Sequence, residues 1–124
     1  MPEKIRAGII GAGFIGPAHL ESIRRLGFVE VVALATSSED TAKAKGNALS
    51  IPKAYGNYQD LIDDEEVQVI HITSPNHLHF PQAKAALEAG KHVVCEKPLA
   101  MNSRESRVLV DMAWEKGLVN AVNF

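Results

Sequence analysis

Three glycines placed directly after a short apolar run constrain this chain more than any other feature. The run covers residues 5–10, and Gly11, Gly13 and Gly16 follow it in the spacing G-x-G-x-x-G, ahead of an amphipathic segment. In a strand–turn–helix of this kind, the first glycine permits the tight turn, the second lets phosphates approach the backbone, and the third lets the helix pack close to the strand. The exposed amides and the positive helix end stabilise an anion. The sequence therefore predicts a dinucleotide pyrophosphate site, against the alternative of a glycine-rich turn that binds nothing.

Apolar runs alternate with helical patterns along the rest of the chain. Strands are predicted at Ile5–Ile10, Val29–Ala35, Val67–Ile72, His92–Cys95 and Leu118–Val122, and helices at Ile15–Leu26, Glu39–Asn47, Tyr58–Asp63, Leu78–Ala89 and Ser103–Lys116. Continuous apolar strands interleaved with helices are typical of βαβ crossovers. We therefore expect one α/β domain over residues 1–124, with a doubly wound, mainly parallel sheet, helices on both faces and a Rossmann fold.

Composition and charge argue against several classes of partner. The net charge is −2 with no basic stripe, so nucleic acid is not an expected partner. Cys95 is the only cysteine, which excludes an internal disulfide and fits a reducing compartment. The longest apolar stretch, residues 7–18, is too short and too rich in glycine to span a bilayer, and it lacks the flanks of a signal peptide. We expect a cytoplasmic protein without a membrane partner.

The end of the second predicted strand bears on the choice between NAD and NADP. An acidic residue about 20 positions past the glycines normally binds the ribose 2′-hydroxyl and repels a 2′-phosphate. Thr36, Ser37 and Ser38 stand there instead, and hydroxyls can serve either ribose. The sequence slightly favours NADP, because the residue that would exclude it is missing. Alternatively, Ser37 or Ser38 caps the next helix; both roles can hold together.

A polar turn, Thr73-Ser74-Pro75-Asn76, follows the third predicted strand. Ligands of open α/β sheets lie beyond the carboxyl ends of the strands, so this turn is a second candidate for the cofactor site. The nearby His71, His77 and His79 do not have the spacing of a metal site, since His77 and His79 fall on different faces of a helix. We predict no metal, and His71 is interpreted as a strand residue with a satisfied hydrogen bond.

A third candidate is the tripeptide Glu96-Lys97-Pro98, which follows the fourth predicted strand. An ammonium at that edge could bond a substrate hydroxyl and stabilise its developing negative charge during hydride transfer. Lys97 is the candidate for this role, with Glu96 orienting it. The alternative is a solvated charge pair without a function.

Together, the glycine turn, the Thr73–Asn76 turn with His79, and Cys95-Glu96-Lys97-Pro98 resemble the N-terminal domain of the glucose-fructose oxidoreductase, inositol dehydrogenase and MocA-type family. The resemblance covers essentially the whole chain. It implies that the pyrophosphate is held by Gly11, Gly13, Phe14, Ile15 and Gly16. It implies that Thr36 and Ser37 face the adenosine ribose, and that the central part of the cofactor is lined by Thr73, Ser74, Pro75, Asn76 and His79. Glu96 and Lys97 would lie near the nicotinamide ribose, Lys97 also reaching substrate, with Asn123 on the cofactor side of the last strand.

The resemblance also implies an activity: NAD- or NADP-dependent hydride transfer to or from a sugar- or inositol-like alcohol or carbonyl. Members of the family carry most substrate contacts, the proton-transfer histidine and the usual oligomer contacts in a C-terminal domain, which we expect to be absent here. The chain is then expected to bind the cofactor and to turn over poorly, with oligomers formed by a longer protein. A stand-alone binding or regulatory module without catalysis is the alternative. The Glu96-Lys97-Pro98 element argues against an unrelated methyltransferase or epimerase of the same fold.

Overall fold

Strands and helices alternate along the chain in a computed structural model, which describes residues 3–124. The strands are β1 (Ile5–Ile10), β2 (Val29–Ala35), β3 (Lys53–Tyr55), β4 (Val69–Ile72), β5 (His92–Glu96) and β6 (Asn120–Asn123). The helices are α1 (Gly16–Leu26), α2 (Glu39–Leu49), α3 (Tyr58–Ile62), α4 (His79–Glu88) and α5 (Ser103–Lys116), with a 3-10 turn at Asn76–Leu78. Every strand and helix that the sequence predicts is present.

All six strands form one parallel sheet in the order β3-β2-β1-β4-β5-β6. The chain starts at the centre, builds outward through β2 and β3, and then returns to the other side of β1 to add β4, β5 and β6. The strand order therefore reverses between β1 and β4, and the loops that leave these two strands separate to opposite faces of the sheet. This confirms the doubly wound α/β fold, and it places a crevice where such folds bind their ligands.

Two apolar clusters fill the two faces of the sheet. One face carries α1, whose Leu20 and Ile23 pack on Ile9 of β1 and on Val31 and Leu34 of β2. The other face carries α3, α4 and α5, which contribute Leu61 and Ile62, Ala83, Ala86 and Leu87, and Leu109 and Ala113. Side chains of alternate strand residues enter opposite clusters, as expected for strands that are buried on both faces. Within residues 3–124, no helix has the length and apolar character needed to cross a membrane.

The structure corrects the sequence prediction at several boundaries. Strand β3 was not predicted, because three half-buried residues that begin with Lys53 give no apolar run. Strand β4 begins at Val69 rather than Val67, since the Val67 amide closes a turn onto the Asp64 carbonyl at 3.1 Å. Strand β6 covers Asn120–Asn123 rather than Leu118–Val122, since the Leu118 amide still bonds the Ala113 carbonyl of α5 at 2.9 Å.

Candidate functional site

A cavity of about 770 Å³ opens at the carboxyl edge of the sheet, across the ends of β1, β2, β3 and β4. The predicted site residues that line it are Gly11, Gly13, Phe14, Ile15, Thr36, Ser37, Thr73, Ser74 and Pro75. Its volume suits a ligand of several rings and linkers, since pockets for cofactors and drug-sized molecules fall in this range. Three turns that are far apart in the sequence therefore meet at one cavity.

The glycine turn after β1 is shaped by close backbone contacts. Gly11 has a φ of +93°, and its amide donates to the Ala35 carbonyl at 2.8 Å. A β-carbon on Gly16 would lie 2.5 Å from the Gly11 carbonyl oxygen, so the first turn of α1 sits directly against the end of β1. A β-carbon on Gly13 would meet nothing within 4 Å. Gly13 therefore leaves open space at the cavity, which is what an approaching phosphate would need.

The N-terminus of α1 has the electrostatics of an anion site. Ile15 occupies the cap position and supplies no side-chain hydrogen bond, and the first turn contains no acidic residue. Its amides are therefore not occupied by a side-chain cap, and the partial positive charge of the helix end is not neutralised locally. The open space at Gly13 lies next to this helix end in the sequence, so the two features together fit a pyrophosphate.

The turn after β4 supports the glycine turn directly. The Thr73 hydroxyl lies 2.7 Å from the Gly11 carbonyl oxygen and 3.1 Å from that of Ile10, and donates to them. The Thr73 amide also donates to Ile10 at 2.9 Å. Ser74 donates its hydroxyl to Gln82 of α4, a buried residue that also lines the cavity. The Thr73 hydroxyl thus stabilises the glycine turn, and Thr73, Ser74 and Pro75 line the cavity.

The turn after β2 both caps α2 and contributes residues to the cavity lining. Ser38 caps α2, since its hydroxyl accepts from the Thr41 amide at 3.2 Å. Thr36 and Ser37 line the cavity, and the Thr36 hydroxyl donates to the Ser38 carbonyl at 2.8 Å. Ser38 is therefore the capping residue, and contact of Thr36 and Ser37 with a ribose stays a prediction.

Several cavity residues were not predicted from the sequence: Thr41, Lys45, Gly56, Asn57, Tyr58, Leu78 and Gln82. Thr41 and Lys45 are four residues apart on α2, which places them on one helix face. This spacing, just after the turn that carries Thr36 and Ser37, could have indicated that both residues line the same cavity. Gly56, Asn57 and Tyr58 follow β3. Because β3 itself was not predicted, the loop at its carboxyl end was not assigned to the ligand edge.

Some of the residues that the resemblance implies are cofactor contacts lie outside the cavity lining: Gly16, Asn76, His79, Glu96, Lys97 and Asn123. His79 is fully buried. Its Nδ1 lies 2.6 Å from the Pro98 carbonyl oxygen, and its Nε2 lies 2.8 Å from that of Ser74. The ring thus joins the turn after β4 to the turn after β5. Its geometry is that of a residue that positions the site, and direct contact with a cofactor stays a prediction.

Among the described residues, Glu96 makes no hydrogen bond or ion pair with Lys97, and an orienting role for Glu96 stays a prediction. Its Oε2 accepts from His19 Nε2 at 2.7 Å and from Asn123 Nδ2 at 2.5 Å. Burial alone would raise the pKa of the Glu96 carboxyl, but the hydrogen bonds from Asn123 and His19, with the charges of His19 and Lys97, outweigh it and lower the pKa. Glu96 is therefore a buried carboxylate held by residues of α1 and β6.

Lys97 itself is exposed, and its amide donates to the Asn123 carbonyl at 3.2 Å. The peptide between Lys97 and Pro98 is cis. Because Pro98 is tied through His79 to Ser74, Lys97 is anchored to the same edge of the sheet as the cavity. An exposed ammonium held at this edge is free to contact a ligand.

His71 lies on β4 and contacts His19, the residue that also binds Glu96. Its Nδ1 is 3.1 Å from His19 Nδ1, so the hydrogen bond predicted for His71 is confirmed. Burial and the charge of His19 lower the pKa of His71 from 6.5 to about 4. Between these two pH values the unfolded chain binds a proton that the folded chain does not, so the free energy of unfolding falls as the pH falls.

We expect His71 to make the protein less stable by about 2–3 kcal/mol at pH 4.5 than at pH 7.5. Urea unfolding at both pH values measures this loss. In the control variant His71→Asn, the amide nitrogen keeps a donor near His19 but does not titrate, so most of the loss should disappear. An equal loss in both proteins would show that other groups cause it.

The parallel sheet, its strand order and the glycine turn at the point where that order reverses define a dinucleotide-binding domain of the Rossmann type. Comparison with known proteins gives its family. The chain belongs to the oxidoreductase family with an NAD-binding Rossmann fold, whose family model matches residues 5–124.

Relatives of the chain include dehydrogenases and a reductase. It is 34% identical over 130 residues to levoglucosan dehydrogenase of Pseudarthrobacter phenanthrenivorans, covering 98% of this chain and 33% of that protein. It is 38% identical over 115 residues to inositol 2-dehydrogenase of Salmonella typhimurium, covering 91% of this chain and 34% of that protein. The structure of biliverdin reductase from Synechocystis with biliverdin and NADP+ superimposes with a TM-score of 0.88 at 33% identity, covering 96% of this chain and 37% of that one.

The chain spans about a third of the length of the curated relatives it matches. Levoglucosan dehydrogenase has been solved with NADH and levoglucosan, and biliverdin reductase with NADP+. The relatives therefore include proteins with either nicotinamide cofactor.

Proposed function

We propose that this chain binds NAD or NADP and is the cofactor-binding domain of an oxidoreductase. The reaction is a hydride transfer between the nicotinamide and a sugar- or inositol-like alcohol or carbonyl. The observation that carries the proposal is the cavity at the β1–β4 crevice, where the open space at Gly13 adjoins a helix end without a side-chain cap. Relatives named for levoglucosan and inositol support the substrate class.

In this proposal the adenosine ribose lies against Thr36 and Ser37, the pyrophosphate lies over Gly13, and the nicotinamide half extends toward Lys97. The nicotinamide, when bound, supplies the hydride acceptor or donor. The Lys97 ammonium would bond the substrate oxygen that gains negative charge, at an edge where water is partly displaced. We further propose that these 124 residues bind the cofactor without efficient turnover, and that oligomerisation, if it occurs, belongs to a longer protein.

Titration of the chain with NAD and NADP, followed by calorimetry and by thermal shift, tests the proposal. We expect saturable binding of at least one dinucleotide, with an affinity below that of an intact two-domain enzyme, because part of the nicotinamide half stays exposed to water. A folded chain that shows neither heat nor thermal shift at millimolar dinucleotide would refute it.

We also propose a slight preference for NADP, since the Thr36 hydroxyl cannot repel a 2′-phosphate. Thr36→Asp should shift the preference toward NAD by about 1–3 kcal/mol, because it places a carboxylate against that phosphate. The ratio of the two dissociation constants in each protein measures the shift, and Thr36→Val is the uncharged control. A native chain that already prefers NAD a hundredfold would mean that another carboxylate binds the ribose.

A further inference from the structure

A polar cluster, which we call the α1–β5 lock, joins α1 to the far half of the sheet. It consists of His19 on α1, His71 on β4, Glu96 at the end of β5 and Asn123 at the end of β6. His19 and Glu96 are each 9% exposed, and His19 Nε2 lies 2.7 Å from Glu96 Oε2. The His19 and His71 rings meet edge to face, with their centroids 5.4 Å apart at an angle of 85°.

The lock connects α1 to strands beyond those on which its apolar residues pack. The apolar residues of α1, Leu20 and Ile23, pack with β1 and β2 in the cluster on that face. His19 lies one position before Leu20 and points past β1, across β4, to the end of β5. The helix that begins at the glycine turn is thereby tied to the strand that ends beside Lys97.

The hydrogen atoms of the lock follow from its chemistry. An ionised carboxylate only accepts, so His19 Nε2 must carry a hydrogen and donate it to Glu96. His19 Nδ1 lies 3.1 Å from His71 Nδ1, so one of these two nitrogens donates to the other. Asn123 supplies a second donor to the same Glu96 oxygen. Each polar group in the lock thus has a partner, and the two hydrogen bonds to the Glu96 carboxylate have a defined direction.

We propose that His19 is a positioning residue that transmits occupancy of the glycine turn to the Glu96–Lys97 strand end. The inference rests on the proposed dinucleotide site. A phosphate on the first turn of α1 fixes that helix, His19 fixes the Glu96 carboxylate, and the backbone carries this constraint one residue further to Lys97. His19 then matters for the nicotinamide half of the ligand and not for the adenosine diphosphate half.

The test compares ADP, which occupies only the adenosine and phosphate positions, with NADP and NAD. His19→Leu removes the donor and fills the space with apolar atoms, while His19→Gln can place an amide hydrogen near the position of Nε2. We expect His19→Leu to weaken binding of whichever dinucleotide the native chain prefers by about tenfold, to change ADP affinity less than about twofold, and to be largely rescued in His19→Gln. Lys53→Met, which breaks the Lys53–Asp64 ion pair on β3, is the control for general destabilisation.

A second measurement observes the transmission itself and does not need the nicotinamide half. In the native chain, ADP should shift the backbone amide NMR signals of Glu96, Lys97 and Asn123. In His19→Leu these shifts should vanish, while the shifts at Gly13 remain. If His19→Leu is too unstable for NMR, His19→Asn, which is too short to reach Glu96, replaces it.

Two results would overturn the inference: equal loss of ADP and dinucleotide affinity in a folded His19→Leu, or unchanged ADP-induced shifts at Lys97 in that variant. A native chain that binds neither ADP nor a dinucleotide would instead refute the proposed function. Native binding with unperturbed signals at Glu96 and Lys97 would refute the positioning role alone.

Discussion

Gly13→Val should abolish dinucleotide binding while leaving the fold intact. A β-carbon at Gly13 meets no protein atom within 4 Å, and the backbone there does not have positive φ, so a valine can be accommodated by the chain itself. The same side chain would fill the space proposed for the pyrophosphate. We expect the dissociation constant to rise at least about 100-fold, or roughly 2.7 kcal/mol. Calorimetry gives the affinity, and thermal unfolding shows that the variant is folded.

Gly27→Ala is the matched control. Gly27 ends α1 with a φ of +78°, and its β-carbon would also meet no atom within 4 Å. Alanine in that conformation should cost about 1 kcal/mol of stability and should not affect binding. Gly13→Val is therefore expected to lose binding and keep its stability, and Gly27→Ala to lose stability and keep binding. A folded Gly13→Val with native affinity would show that the phosphates do not bind over Gly13.

Lys97→Ala should lower turnover about 100-fold or more, the scale expected when a donor that stabilises developing charge is removed. The measurement requires a protein that carries this domain together with its substrate-binding part. Because Lys97 is exposed, the melting temperature should change little. Lys97→Arg should restore little activity, since a planar guanidinium does not replace a compact ammonium.

Lys84→Ala, which breaks a surface pair with Glu88 on α4, is the control for loss of a lysine charge. Near-native turnover in Lys97→Ala would show that Lys97 is an exposed charge without a role in the reaction. The family assignment would then describe the fold and the cofactor, but not the mechanism.

The sequence predicted the architecture because the central strands carry strong local signals. The bounds of β1 and β2 were predicted as the structure has them, since both are apolar except for one charged residue each, Arg6 and Glu30, and both end at a polar or glycine residue. The end of α5 was also predicted, since Gly117 follows it with a φ of +64°. The three turns at the cavity could be predicted as well, because the carboxyl ends of parallel strands must share one edge.

What the sequence did not predict depends on contacts between distant residues. The edge strand β3 is held by pairing with β2 and has little apolar character of its own. Glu96 accepts a hydrogen bond from His19, 77 positions away, which the sequence did not indicate. His79 was expected in the cavity, but it is buried between two carbonyls that only the fold brings together. Such pairings leave no periodic pattern in a single sequence.

The close contact between Gly16 and the Gly11 carbonyl makes the glycine turn intolerant of substitution, in contrast to the turn that carries Thr36 and Ser37. Any β-carbon at Gly16 would lie within 2.5 Å of that oxygen, so almost no substitution is open there. Thr36 and Ser37 lie on a separate turn whose backbone is held independently, by the Thr36 amide on the Tyr55 carbonyl at 3.0 Å. We therefore expect single substitutions in the second turn to change the preference between NAD and NADP, while the glycine turn proposed to bind the pyrophosphate stays unchanged.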